Sequence, residues 1–187
     1  MHTTTEFVIA GFGGQGVMLT GQVLAYAALE AGKHVTWIPS YGPEMRGGTA
    51  NCTVVISTEP IGAPLVRNPA VVIALNQPSF DKYEPLVRAG GILAVNASLT
   101  TRAPSRTDIR TIAPHATEMA ERAGSPKVAG IVLLGAAVAA TGVLELGDIE
   151  LALDKHLPEK HRALLPVNIA ALWAGAELVA EGVERSA

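Results

Sequence analysis

The apolar run Phe7 to Ala10 leads into Gly11-Phe12-Gly13-Gly14-Gln15-Gly16, and that turn opens directly into a helix-like run from Val17 to Ala31. Strand, tight turn and helix in that order point to an α/β layer arrangement. Glycine suits such a turn because the backbone needs angles that side chains resist. Amides that open a helix also reach an anion only where no side chain stands in between. The spacing G-x-G-x-x-G fits a dinucleotide fingerprint too, yet that fingerprint wants an acidic residue about 20 positions on to hold a ribose. The second apolar run, His34 to Ile38, ends in Pro39-Ser40-Tyr41-Gly42-Pro43, with no carboxylate before Glu44. Free-standing NAD binding is therefore disfavoured, and a turn that serves only strand-helix packing is the competing reading.

The pattern continues as strands and helices in alternation. The spacing predicts a helix from about Gln15 to Ala31, ended by Gly32, with Gln22, Tyr26, Glu30 and Lys33 on a solvated face and Val17, Gly21, Leu24 and Ala28 against a sheet. Further strands are predicted at Thr49 to Ser57, Val71 to Leu75, Ile92 to Val95 and Thr111 to Ala113; the first of these alternates poorly and reads as a central strand. Ser79 is the expected cap of a short helix that Pro85 ends or kinks, and Ser98 to Arg110 reads as an excursion between strands. Helices are expected at Ala116 to Ala123, Val128 to Ala140, Asp148 to His156 and Pro166 to about Glu184. The last carries an apolar stripe of Ile169, Leu172, Trp173, Ala176, Val179, Ala180 and Val183. The expected fold is α/β: a single doubly wound, mostly parallel sheet with helices on both faces, Rossmann-like, forming one domain over 1–187. Its ligands would lie outside the carboxyl ends of the strands, where Gly11 to Gly16, Pro39 to Gly48 and Asn76 to Ser79 converge.

The middle loop is the most specific of the three, since Ser40, Tyr41, Gly42, Glu44, Arg46, Gly47 and Gly48 place a phenol, an acid and an arginine among glycines. Arg46 there could present its planar fork to a carboxylate or phosphate, with Glu44 orienting it; a structural ion pair between the two across a subunit contact fits the spacing equally. Charge steers the chain toward no polyanion, because 14 basic and 17 acidic side chains are scattered and leave a net charge of -3. With 49% hydrophobic and 17% charged residues, the chain is apolar enough to suggest surface buried against other subunits.

Other chemistries weaken on inspection. The single cysteine, Cys52, sits in an apolar strand, reads as a buried inert thiol, and cannot by itself hold an iron-sulfur cluster, which needs about four ligands. His156 and His161 lie across Pro158 in a charged junction and read as solvated, so no metal site is expected. No G-x-S-x-G elbow and no G-x-x-x-x-G-K-[ST] loop occurs, which argues against a hydrolase triad and an NTPase. The start has no basic n-region, and the apolar stretch Val128 to Val143 is shorter than the roughly 20 residues that span a bilayer. A cytoplasmic protein with no membrane or nucleic-acid partner is the expectation.

Taken together, GFGGQGVMLTGQVLAYAALEAGKHVTWIPSYGPEMRGGTANCTVVIS, IALNQPSFDKYEPLVRAGGIL and VAGIVLLGAAVAATG resemble the gamma subunit of 2-oxoacid:ferredoxin oxidoreductases, closest to the 2-oxoglutarate type and related to the pyruvate and 2-ketoisovalerate types. The similarity runs from about Phe7 to Glu181, and three separate loops agree in order. Gly130 and Ala70 depart from it, standing where an asparagine and an acidic residue are usual. The resemblance implies a reaction of 2-oxoacid, coenzyme A and oxidised ferredoxin giving acyl-CoA, carbon dioxide and reduced ferredoxin. It assigns thiamine diphosphate and iron-sulfur clusters to partner subunits, alpha and beta with delta as a further candidate. That agrees with one cysteine and no G-D-G signature here. It implies no catalytic residue and no metal in this chain, none of these cofactors bound by it alone, and a homodimer as one state of the isolated chain. Coenzyme A is a candidate at an interface formed by Gly11, Gly13, Gly14, Gln15, Gly16, Ser40, Tyr41, Gly42, Glu44, Arg46, Gly47, Gly48, Asn76 and Gln77. The alternative is a stand-alone nucleotide-binding or regulatory module that uses the glycine turn alone.

Overall fold

The computed structural model describes residues 3–40, 49–180 and 182. The strands are β1 (Thr4–Phe12), β2 (His34–Ser40), β3 (Thr49–Ser57), β4 (Val71–Ala74), β5 (Ile92–Val95) and β6 (Arg110–Ile112); the helices are α1 (Val17–Glu30), α2 (Gln77–Tyr83), α3 (Ala116–Ala123), α4 (Ala129–Thr141), α5 (Leu146–His156) and α6 (Leu165–Ala180). The strands form one sheet in the order β2-β3-β1-β4-β5-β6. Beyond β1 every ladder is parallel, whereas β3 runs antiparallel to both β1 and β2. The sheet is therefore mixed, with β3 as the reversed strand. The reason is connection length: 41–48 are too few residues for the crossover of a dozen or more that a parallel pairing requires. As its poor alternation suggested, β3 lies inside the sheet, and it pairs with β1 along the whole of both strands, from Thr4 opposite Ser57 to Phe12 opposite Thr49.

Helices cover both faces unequally. Phe7 and Ile9 of β1 point into a core built with α1, α3, α4, α5 and α6. Val8 and Ala10, their alternate neighbours, point into a smaller core with Phe80 and Tyr83 of α2, Val87 and Ile109. The chain winds both ways from the middle of the sheet, because α1 joins β1 to β2 over the first face and α2 joins β4 to β5 over the second. The boundary between β1 and β4 is thus the switch point of a doubly wound sheet.

Helix α4 is the centre of the larger core, with Ala129 to Val138 buried without a break. It packs on α6 closely enough that the two backbones touch. A methyl added at Gly135 would overlap the Leu172 carbonyl oxygen, and one at Gly175 would overlap that of Val132. This contact sets the rotation of α6: its buried residues are Asn168, Ala171, Leu172, Gly175 and Ala176. The predicted stripe is corrected accordingly. Leu172 and Ala176 face the core, Ile169 and Val179 are half-buried, and Trp173 and Ala180 are exposed, because small residues rather than the largest ones make the helix contact; Val183 lies outside the described residues. The run Glu159–Ala180 is long and apolar enough to cross a membrane by length and composition, with a hydropathy of 1.6. Its buried side nevertheless packs on a helix of this same chain.

Candidate functional site

Helix α1 starts later than its pattern implied, at Val17, because Gly16 adopts φ 80° and serves as the N-cap with no side-chain cap. Gly11 and Phe12 still belong to β1, so the turn proper is Gly13 to Gly16, with Gly13 and Gly14 exposed. Gln15 then folds its side chain back under the turn. The Phe12 amide donates to Gln15 Oε1 at 2.6 Å, and Asn76 Nδ2 donates to the same oxygen at 3.0 Å. A side chain on Gly11 would meet Gln15 Oε1 at 2.8 Å, so the absence of one there makes room for this bond.

Asn76 lies at the end of β4 and is buried. Its Oδ1 accepts the Ser79 amide at 2.9 Å, which makes Asn76, and not Ser79, the cap of α2. The expected cap is corrected on that point: an N-cap must precede the helix by its own extended residue, and Asn76 has that geometry at φ -155°. Gln77 turns outward, where its Oε1 accepts the Thr101 amide at 2.7 Å and its Nε2 donates to Asp81 at 2.8 Å. The structure thus joins two of the three predicted loops directly, by the pair Gln15 and Asn76. Ser40, the last residue of β2, is exposed at the same edge and pairs with Asn51, itself opposite Ala10, so two strand spacings, roughly 10 Å, separate it from β1. Tyr41, Gly42, Glu44, Arg46, Gly47 and Gly48 lie outside the described residues.

Two neighbouring features add to this edge. Asn96 ends β5 as Asn76 ends β4: it is buried, its Oδ1 accepts the Ser98 amide at 3.2 Å, and its Nδ2 donates to Thr117 Oγ1 at 3.0 Å. An asparagine closing each of two adjacent strands was the available sequence signal. The excursion after β5 is held by Glu84, a buried carboxylate that accepts the Ser105 amide at 2.6 Å and pairs with Arg102 at 2.7 Å. Burial pushes its carboxyl pKa up, but the Ser105 amide and the Arg102 guanidinium outweigh this and hold it below the ordinary value of 4.5. Arg102 also lies over the Phe80 ring, 3.8 Å from its centroid.

Cys52 is fully buried, its thiol donating to the Val17 carbonyl at 3.6 Å, and burial pushes its pKa up to about 12 against a weaker opposing effect of the Trp37 indole. Such a thiol is a packing group. His156 departs from the expectation of a solvated side chain. It stacks on Tyr26 with ring centroids 3.9 Å apart, and its Nε2 lies 2.6 Å from Glu30 Oε1, so part of the polar face predicted for α1 is a contact with α5. Among the described residues no group of three His, Cys, Asp or Glu side chains could hold a metal ion. A buried lone thiol does not fit an iron-sulfur cluster, and among the described residues of this edge no carboxylate set fits the metal that accompanies a diphosphate cofactor.

The family described as pyruvate ferredoxin/flavodoxin oxidoreductase matches residues 6–178. The ketoisovalerate oxidoreductase subunit VorA of Methanothermobacter thermautotrophicus is 42% identical over 178 residues, which take in 94% of this chain and 36% of VorA, so the chain spans little more than a third of that relative. The 2-oxoglutarate synthase subunit KorC of Methanothermobacter marburgensis is 38% identical over 184 residues, 95% of this chain and 97% of KorC. Among solved structures, the gamma subunit of a keto/oxoacid ferredoxin oxidoreductase from Geobacter sulfurreducens has a TM-score of 0.81 and 35% identity, covering 95% of this chain and 99% of that one.

Proposed function

The chain belongs to the pyruvate ferredoxin/flavodoxin oxidoreductase family as a gamma subunit, and from that premise we propose that it completes a multi-subunit 2-oxoglutarate:ferredoxin oxidoreductase in the cytoplasm. That enzyme would turn a 2-oxoacid, coenzyme A and oxidised ferredoxin into acyl-CoA, carbon dioxide and reduced ferredoxin. The observation that carries the reading is the match to separate gamma-type subunits over nearly their whole length, 97% of KorC and 99% of the Geobacter chain. The 2-oxoglutarate assignment rests on identity among the separate subunits, 38% to KorC against 32% to the pyruvate synthase subunit PorC of Thermotoga maritima; VorA is 42% identical but is a much longer chain.

Thiamine diphosphate and iron-sulfur clusters belong, in this proposal, to the alpha and beta subunits, because the residues here do not fit them. What this chain contributes is a preformed edge. Gln15 and Asn76 tie the switch point together with side-chain hydrogen bonds, which anchor the turn Gly13 to Gly16 at the sheet edge where β2 also ends, at Ser40. We assign Arg46 and Tyr41 of that loop to contacts with coenzyme A or with the active-site subunits, on the ground that an arginine among glycines is spent on recognition more often than on a core. The stand-alone nucleotide-module reading finds no support in the relatives, and Gln15 already occupies the inner side of the turn.

The test is co-expression with the alpha and beta chains. The complex should reduce ferredoxin with 2-oxoglutarate and coenzyme A, the isolated chain should not, and Arg46→Ala should impair the complex while leaving the melting temperature of the lone chain unchanged. Full activity of the alpha and beta chains without this one would end the proposal.

A further inference from the structure

Among the described residues β2 is one end of the sheet, and its outer edge is unguarded. A sheet ends safely where the last strand is short, charged, broken by proline or a bulge, or covered by another element. The opposite end meets that rule, since β6 has three residues and one of them is Arg110. β2 has seven, paired with β3 residue for residue without a bulge, and from His34 to Ile38 it holds no acid, lysine, arginine or proline. Val35 and Trp37 pack on the larger core beneath α1. On the other face His34, Ile38 and Ser40 are exposed, Ile38 by 41%.

The hydrogen bonds inside the sheet fix which backbone groups of β2 are free, because successive residues of a strand turn their N–H and C=O to opposite sides. The Leu75 amide donates to the Ala10 carbonyl and the Thr58 amide to the Thr3 carbonyl, so even-numbered residues of β1 bond toward β4 and odd-numbered ones toward β3. In register, Cys52, Val54 and Ile56 of β3 then bond β1, while Asn51, Thr53, Val55 and Ser57 bond Ser40, Ile38, Thr36 and His34 of β2. Val35, Trp37 and Pro39 are left to point off the sheet. Pro39, which has no N–H, falls in that outward set, the place in an edge strand where a proline costs no ladder bond. The amides of Val35 and Trp37 and the carbonyls of Val35, Trp37 and Pro39 have no partner among the described residues.

A row of alternating amides and carbonyls accepts one kind of occupant, an extended strand that adds to the sheet. We propose that β2 is continued by an extended segment of another chain of the enzyme. Two observations choose that source over a second copy of this chain. β2 runs at Ser40 directly into 41–48, the loop that the proposed function gives to coenzyme A or the active-site subunits, and to that extent the inference rests on that reading. The region similar to this chain is also only 36% of VorA, so in that relative the unit is tied to a larger stretch of other polypeptide.

The test is amide hydrogen exchange, read residue by residue on the full chain alone and co-expressed with the alpha and beta chains. The Val35 and Trp37 amides should exchange as freely as loop amides in the lone chain and slow about a hundredfold or more on assembly. Those of Thr36 and Ile38, bonded to β3, should be slow in both states. Val35→Pro removes an outward N–H and no ladder bond. It should melt close to Val35→Thr as a lone chain yet bind the alpha and beta chains about tenfold or more weakly, whereas Val35→Thr should assemble normally. Should Val35→Pro fail to fold, the exchange of the wild-type chain decides alone. A complex that reduces ferredoxin while its Val35 and Trp37 amides still exchange freely would overturn the inference and leave the functional reading standing, as would full assembly of a folded Val35→Pro chain. Failure of the wild-type chain to join the alpha and beta chains would end both. Protection of the same amides in the lone chain, rising with its concentration, would give the edge to a second copy and overturn the inference too.

Discussion

Asn76 donates its side-chain amide to Gln15 Oε1 at 3.0 Å, across the boundary where β1 sends the chain over one face of the sheet and β4 over the other. Doubly wound sheets leave a crevice there, into which ligands usually reach. Here the chain's own glutamine is bonded at it, with one oxygen serving both the Phe12 amide and Asn76.

Gln15→Ala should therefore act on both elements at once. It leaves the Phe12 amide and Asn76 Nδ2 without their acceptor, an expected loss of about 1–3 kcal/mol. Asn76→Ala removes the cap of α2 as well and should cost about 1–2 kcal/mol or more. Because the two share a bond, the double variant should lose less than the sum of the singles, by about 0.5 kcal/mol or more. Urea unfolding of the four chains checks this, and strict additivity would mean that the bond carries no energy.

The α4–α6 contact predicts opposite outcomes for the same change at different glycines. Gly175→Ala and Gly135→Ala place a methyl into a facing backbone carbonyl, which must move, so each should cost about 3 kcal/mol or more, or prevent folding. Gly147→Ala, in α5 with nothing near its added carbon, should stabilise by about 0.5–1 kcal/mol. Melting temperatures of the three variants decide between close approach and generic helix propensity.

Stability should depend on pH through Glu84. Its carboxyl is held below the ordinary value of 4.5 in the folded chain, so its contribution is fully present above the unfolded value and is lost as pH falls through the folded one. Glu84→Gln should consequently destabilise at pH 7, by about 1.5–3 kcal/mol, and the gap from wild type should close as pH falls below the ordinary carboxyl value of 4.5 and through the lower folded one. Thermal melts from neutral to acidic pH measure this. A constant gap would assign the loss to shape rather than charge.

Cys52 should be unreactive in the folded chain. With its pKa pushed up to about 12 and its side chain buried, it should resist iodoacetamide at pH 8 and react at once in denaturant. Cys52→Ser should leave the iron content of the assembled enzyme unchanged, whereas a loss of iron would mean that the thiol is a cluster ligand.

The layer class, the places of β1, β3 and β5, the buried character of α4 and the inertness of Cys52 were legible in the chain of residues, because each depends on residue type over a short span. Thr49 to Ser57 and Ile92 to Val95 are strands wherever they pack, and a lone thiol among Val and Ile has nothing to react with. The family was legible for a similar reason, since the glycine turn, the Ser40 to Gly48 loop and the Asn76 loop are local strings in a set order. The reversal of β3 was also within reach of the sequence, as 41–48 are too short for a parallel crossover.

What depends on residues far apart in the chain emerged only on packing. Gln15 and Asn76 are 61 positions apart, and nothing in either loop says that one oxygen will serve both. Asn76 rather than Ser79 caps α2 because the backbone at the end of β4 leaves Asn76 extended. The rotation of α6 was misread because periodicity ranks side chains by size, whereas Gly135 and Gly175 let two backbones meet and turned Trp173 out to the surface. His156 likewise found Tyr26 and Glu30 only when α5 docked on α1. Local chemistry sets which elements form; the distance of closest approach between them sets which side chains are left facing outward, and that distance is a property of the packed chain.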